Sequence, residues 1–158
     1  MLAWAVSLPG CSVATTREPP SLGAALYQSR MDVDARQVQV KLRNESDREV
    51  VVERMTLLSS AFDAPMVYRK SGSHLDAGRA VDMPVVLSAP VCDAATEEHT
   101  VRVDYRLGDG TTGTVEVEAA DDRGAVADLR SAECFVLDVD EVATLSIRGE
   151  PRVVLRDG

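Results

Sequence analysis

Few residues in this chain have side chains suited to chemistry, and they are scattered. Ser71, Ser73, His74 and Asp76 bring nucleophile, base and carboxylate together in the run SGSHLD. A catalytic triad needs those groups in series, each within hydrogen-bond reach of the next. Neighbours on one short segment cannot line up that way, so triads are assembled from distant segments. The chain also has no Gly-x-Ser-x-Gly elbow to present a nucleophile. SGSHLD reads as a polar loop, and no catalytic residue is expected.

Metal chemistry meets similar objections. Met66, His74, Met83 and His99 have the ligand types of a soft copper site like those of envelope copper carriers, with Glu97 and Glu98 beside His99. Their spacing follows no ligand motif, and Met83 falls on the apolar side of a predicted strand, where core filling explains it. Asp121-Asp122 and Asp138-Val139-Asp140-Glu141 offer hard oxygen ligands for calcium, but without the Asp-x-Asp-x-Asp-Gly spacing that wraps the ion. They read as solvated acidic loops. No CxxC pair occurs, neither histidine is spaced from a cysteine as zinc ligands are, and no glycine-rich phosphate loop is present. No metal site and no cofactor is expected.

Three cysteines remain. Met1–Leu8 is apolar and leads through Pro9 and Gly10 to Cys11, then into the polar, proline-ended segment 12–20. An apolar run, a small residue and a cysteine resemble the end of a bacterial lipoprotein signal peptide, which implies lipidation at Cys11 and export. The run lacks a basic start, and Pro9 stands where the motif has Ala or Ser. With Cys11 lipidated, Cys92 and Cys134 form a pair with no odd thiol, so a single disulfide is expected between them. Closing a loop with 41 intervening residues would stabilise the fold by about 4 kcal/mol on the chain-entropy model.

Composition limits the remaining possibilities. Net charge is −9, from 17 basic against 26 acidic residues, and no basic cluster could follow a phosphate backbone, so nucleic acid is not an expected partner. No run approaches the roughly 20 apolar residues of a membrane span, so any membrane contact is expected only through a lipid at Cys11. Valine (23) and leucine (14) far outnumber the six aromatics, and a core of branched aliphatics favours a sheet. Fifteen arginines against two lysines is the usage of a high-GC genome. Under that bacterial prior the sequon Asn44-Glu45-Ser46 is discounted as a glycosylation site.

The elements that must position these residues read mostly as strands. Leu22–Arg30 is a short helix or irregular lead-in. Val38, Val40 and Leu42 alternate with polar residues in a half-buried strand, and Asn44–Asp47 supplies a turn. Glu49–Leu58 is a second strand, in which Val50 and Val52 fall out of step with Met55 and Leu57 unless a bulge lies near Glu53-Arg54. A short strand is expected at 67–69. Val81, Met83, Val85 and Leu87 form another, in which Pro84 requires an edge or bulge. Val101–Leu107 and Val115–Val117 pair through the Gly108-Asp109-Gly110 turn. Asp121-Asp122 caps a helix over 123–132, and two short strands follow at 142–148 and 152–156. The segments Val40–Glu45 and Val153–Gly158 share a pattern at an offset of 113, which is either the start of a second module or a coincidence of so short a match.

Six or seven alternating strands predict a mainly β fold, an immunoglobulin-like antiparallel β-sandwich with one short helix near 123–132. Asn44 with its flanking strands, Pro90-Val91-Cys92, Tyr105–Gly110 and Cys134 resemble uncharacterised secreted or lipoprotein-like immunoglobulin-like proteins of high-GC Gram-positive bacteria, over roughly 35–135. The immunoglobulin tryptophan is missing, since Trp4 is the only one. The expected organisation is a signal or lipobox-like segment at 1–11, a linker and lead-in at 12–34, the sandwich at 35–135, and C-terminal strands at 136–158. The function this implies is a non-enzymatic, extracytoplasmic binding or structural module of the cell envelope, acting on a protein or envelope ligand. An envelope copper- or calcium-binding protein, or an enzyme without a recognisable motif, is the alternative.

Overall fold

A computed structural model describes residues 18–143. Eight strands and one helix follow in the order β1 (Leu22–Tyr27), β2 (Gln37–Asn44), β3 (Val50–Ser59), β4 (Met66–Val67), β5 (Ser73–Leu75), β6 (Ala80–Val86), β7 (His99–Leu107), β8 (Thr112–Ala120) and α1 (Ala125–Val142). The molecule is mainly β, as its composition predicts.

Period-two alternation sets the faces of the central strands. Val38, Val40 and Leu42 of β2 are fully buried, as are Val101 and Val103 of β7, and the residues between them turn outward or lie half-buried. In β3, the register against β7 shifts between Val52 and Arg54. This bulge puts Val50, Val52, Met55 and Leu57 into one core despite their odd spacing. β7 and β8 form the expected hairpin.

The strands join in the order β4-β3-β7-β8-β1-β2-β6, and β5 pairs with β3 on the same edge as β4. β4 and β6, at the two ends of this path, approach each other, so the mixed sheet nearly closes into a barrel around its valine-rich core. β6 has an open edge, the position Pro84 requires.

β1 departs from the expected lead-in. It is a strand, antiparallel to β2 and parallel to β8 through Ala24↔Ala119 and Ala25↔Ala120. Leu22 and Leu26 enter the core, but Gly23, Ala24 and Ala25 between them carry too little side chain to advertise the alternation. The segment 12–34 is therefore only partly linker.

The helix is also longer than expected. It extends over 18 residues to Val142 and contains Cys134 inside it instead of beyond its end. Residues 136–142, assigned to C-terminal strands, are helical. Their valines suggest a strand, but no Gly or Pro interrupts the helix once it has started. The rest of the strands expected at 142–148 and 152–156, the repeat at 153–158 and Cys11 lie outside the described residues.

Candidate functional site

α1 is fixed first at its start. The Asp121 carboxylate accepts the backbone N–H of Ala125 (2.8 Å) and of Val126 (2.9 Å), satisfying two donors that a helix start leaves without partners. Gly124, at φ 65°, turns the chain into the helix. Val126 is fully buried and Leu129 packs on the core.

Three side chains then fasten the helix to the segment between β6 and β7. Cys134 is bonded to Cys92, with the Cα atoms 5.6 Å apart. Arg130 Nε lies 3.2 Å from Glu97 Oε1, and its Nη1 donates to the Ala94 carbonyl at 3.4 Å. Arg36 donates through Nε and Nη2 to both Glu133 oxygens, at 2.6 and 2.7 Å, and through Nη2 to the Ser88 carbonyl at 3.0 Å. Hydrogen bonding to Glu133, opposed by partial burial, raises the Arg36 guanidinium above its ordinary value.

Arg36 is the one non-glycine with positive φ among the described residues, at 48°. Its neighbours hold this unfavourable backbone: Arg36 N–H donates to Val33 O, Gln37 N–H to Asp32 O, and Leu87 N–H to Arg36 O. Asp32 ties the same loop, accepting from Ser29 N–H at 2.9 Å and from the Gln39 amide at 2.8 Å. Burial would push its carboxyl up, but these hydrogen bonds outweigh it and hold the carboxyl below its ordinary range.

Past these fastenings α1 runs into solvent with apolar side chains showing. Phe135 is 69% exposed, Val136 55% and Leu137 52%. Beside them is a groove of about 540 Å³ lined by Ala89, Pro90, Ala132, Val136 and Leu137 together with the Arg36–Glu133 pair. A cluster of exposed apolar residues on a rigid support is a candidate contact surface.

A second cleft, of about 700 Å³, lies at the β7–β8 end, with Glu97, Glu98, Glu118, Asp121 and Asp122 around His99. His99 is 7% exposed and shares a 2.9 Å hydrogen bond between its Nδ1 and Ser59 Oγ, which also accepts Ala61 N–H at 3.2 Å. Burial lowers the His99 pKa, against the opposing charges of Asp121 and Glu97. The Ser59–His99 pairing, 40 residues apart in sequence, has no local signal. It depends on the register that sets Ser59 opposite His99.

The residues singled out from the sequence do not converge. His74 lies exposed on β5, and its ring bonds Glu49, away from any triad with Ser71, Ser73 and Asp76. Within the proposed copper set, Met66 and Met83 are core residues. His74 pairs with Val51 and His99 with Ser59, so the two histidines lie roughly 25 Å apart along β3. Asp121 serves the start of α1, and Asp138, Asp140 and Glu141 are helical. No group of three His, Cys, Asp or Glu among the described residues is placed to hold a metal ion. Asn44 is completely buried. Its amide donates to Arg48 O (2.7 Å) and Leu75 O (2.9 Å), and its oxygen accepts from Ser46 N–H (3.0 Å) and Oγ (2.6 Å), so it is a structural residue of the folded chain.

No protein-family model matches the chain, and no curated protein is similar to it in sequence. Among solved structures, it is similar to a FixG-related protein from Vibrio parahaemolyticus, with 13% sequence identity and a TM-score of 0.31, over 67% of this chain and 99% of that one. At that score the likeness carries no weight for fold or function. No helix among the described residues is long and apolar enough to cross a membrane.

Proposed function

We propose that this protein is a non-enzymatic interaction module of the bacterial envelope, outside the reducing cytoplasm, held at the membrane by a lipid on Cys11. A single observation carries the reading: α1 is fastened by the Cys92–Cys134 bond and two ion pairs, yet it holds Phe135, Val136 and Leu137 in water. A disulfide of this kind persists in oxidising compartments. Exposed apolar residues on a fastened helix serve contact better than chemistry. The immunoglobulin-like form belongs to the same proposal. Its support is the pairing of β2 with β6 and of β3 and β8 with β7, with β1 running parallel to β8 between these two groups.

Hydrogen exchange tests the contact. Slower exchange of α1 over 132–142 in envelope extracts of the producing cells than in the pure protein supports it, and identical exchange counts against it. Intact mass before and after reduction tests the compartment. Exported protein should gain about two hydrogens, and no change would remove the oxidising location.

A further inference from the structure

We infer that the apolar stripe of α1 over 132–139 takes an amphipathic partner segment whose apolar side is flanked by lysine or arginine. This rests on reading the protein as an interaction module and names the chemistry of what it binds. Ala132, Phe135, Val136 and Val139 follow the i, i+3, i+4, i+7 spacing of a single helical stripe, which continues the face of Leu129 past the point where the core ends and leaves Phe135 and Val136 exposed. The groove beside Val136 and Leu137 gives an inserted side chain somewhere to sit.

Charge decides the occupant. Asp138, Asp140 and Glu141 crowd the last turns of α1, and the last turn has no basic residue. Arg130, the helix's only base, is already engaged by Glu97. The three carboxylates make no ion pair among the described residues, and they stand at the negative end of the helix dipole, where like charge is locally unfavourable. A second copy of this chain, with net charge −9, would set carboxylates against carboxylates, and an anionic bilayer would do the same. A basic partner removes both penalties while covering the stripe.

The test uses the full oxidised chain and a fluorescein-labelled peptide of about five helical turns, with leucines on one face and lysines on the other. Anisotropy should show binding that weakens by about tenfold or more in Phe135→Ser/Val136→Ser, in Asp138→Asn/Asp140→Asn/Glu141→Gln, and when glutamate replaces the peptide's lysines. The charge-matched control Glu98→Gln/Glu118→Gln/Asp122→Asn, placed in the other acidic cleft, should stay within about twofold of the unaltered chain. Equal weakening by the control, or no effect of the Phe135 and Val136 changes, overturns the inference. So does concentration-dependent dimerisation in sedimentation, or preferential binding to phosphatidylglycerol vesicles, if either is lost with Phe135→Ser/Val136→Ser. If exchange over 132–142 slows in envelope extracts but the lysine peptide does not bind, the basic-partner inference fails and the interaction-module reading survives.

Discussion

Arg36 and Glu133, 97 residues apart in sequence, meet through two parallel hydrogen bonds of 2.6 and 2.7 Å, with Glu133 immediately before the half-cystine Cys134. The ion pair and the covalent bond therefore act on the same turn of α1. Both partners are partly solvated, so Glu133→Gln is expected to lower stability by only about 0.5–1 kcal/mol. Cys92→Ser/Cys134→Ser should cost about 2–5 kcal/mol. In urea unfolding, the combined variant should depart from the sum of the two, because neighbouring fastenings of one element are coupled. Strict additivity would show that they act independently.

Asn44 donates two hydrogen bonds and accepts two from a fully buried position. Asn44→Ala would leave the Arg48 and Leu75 carbonyls without these donors, at an expected cost of about 2–4 kcal/mol in denaturant unfolding. Asn44→Asp should be no better, since it sets a carboxylate against those same carbonyls. A loss under about 0.5 kcal/mol would mean that water replaces the amide.

His99 provides a pH test. Burial lowers its pKa in the folded state, so the unfolded chain binds the proton more readily. The stability it contributes is complete above its unfolded pKa, about 6.5, and is lost as pH falls through the lower folded value. Between about pH 7.5 and about pH 5, the melting midpoint should fall more steeply in the unaltered protein than in His99→Gln. Parallel slopes would exclude His99 as the source.

Gly113 lies opposite Tyr105 in the β7–β8 pairing, and a Cβ placed on it would come within 2.6 Å of the tyrosine hydroxyl and 2.8 Å of Cζ. The ring covers the place where a side chain would stand. Gly113→Val is predicted to displace Tyr105 and cost about 1–3 kcal/mol, despite the higher strand propensity of valine. A stabilised Gly113→Val would show that the ring moves freely aside.

Strands with large residues at every second position were legible in the sequence. β2, β7, the bulge in β3 and the edge position of Pro84 all follow from alternation and from proline's missing N–H. Counting cysteines was enough to pair Cys92 with Cys134. β1 was hidden by its small residues, and β5 by its polar ones, although Leu75 at its end is fully buried. The second half of α1 was misread because its valines match strand propensity, and the exposure of Phe135 depends on where the core ends, which periodicity does not encode. Ser59 and His99 meet only through strand register.

β1 is hydrogen-bonded on both sides, antiparallel to β2 and parallel to β8. A pull along the strand on the chain preceding Leu22, such as an anchor would transmit, loads those bonds in shear. They must then yield together instead of unzipping one by one, so β1 resists such a pull where it joins β2 to β8.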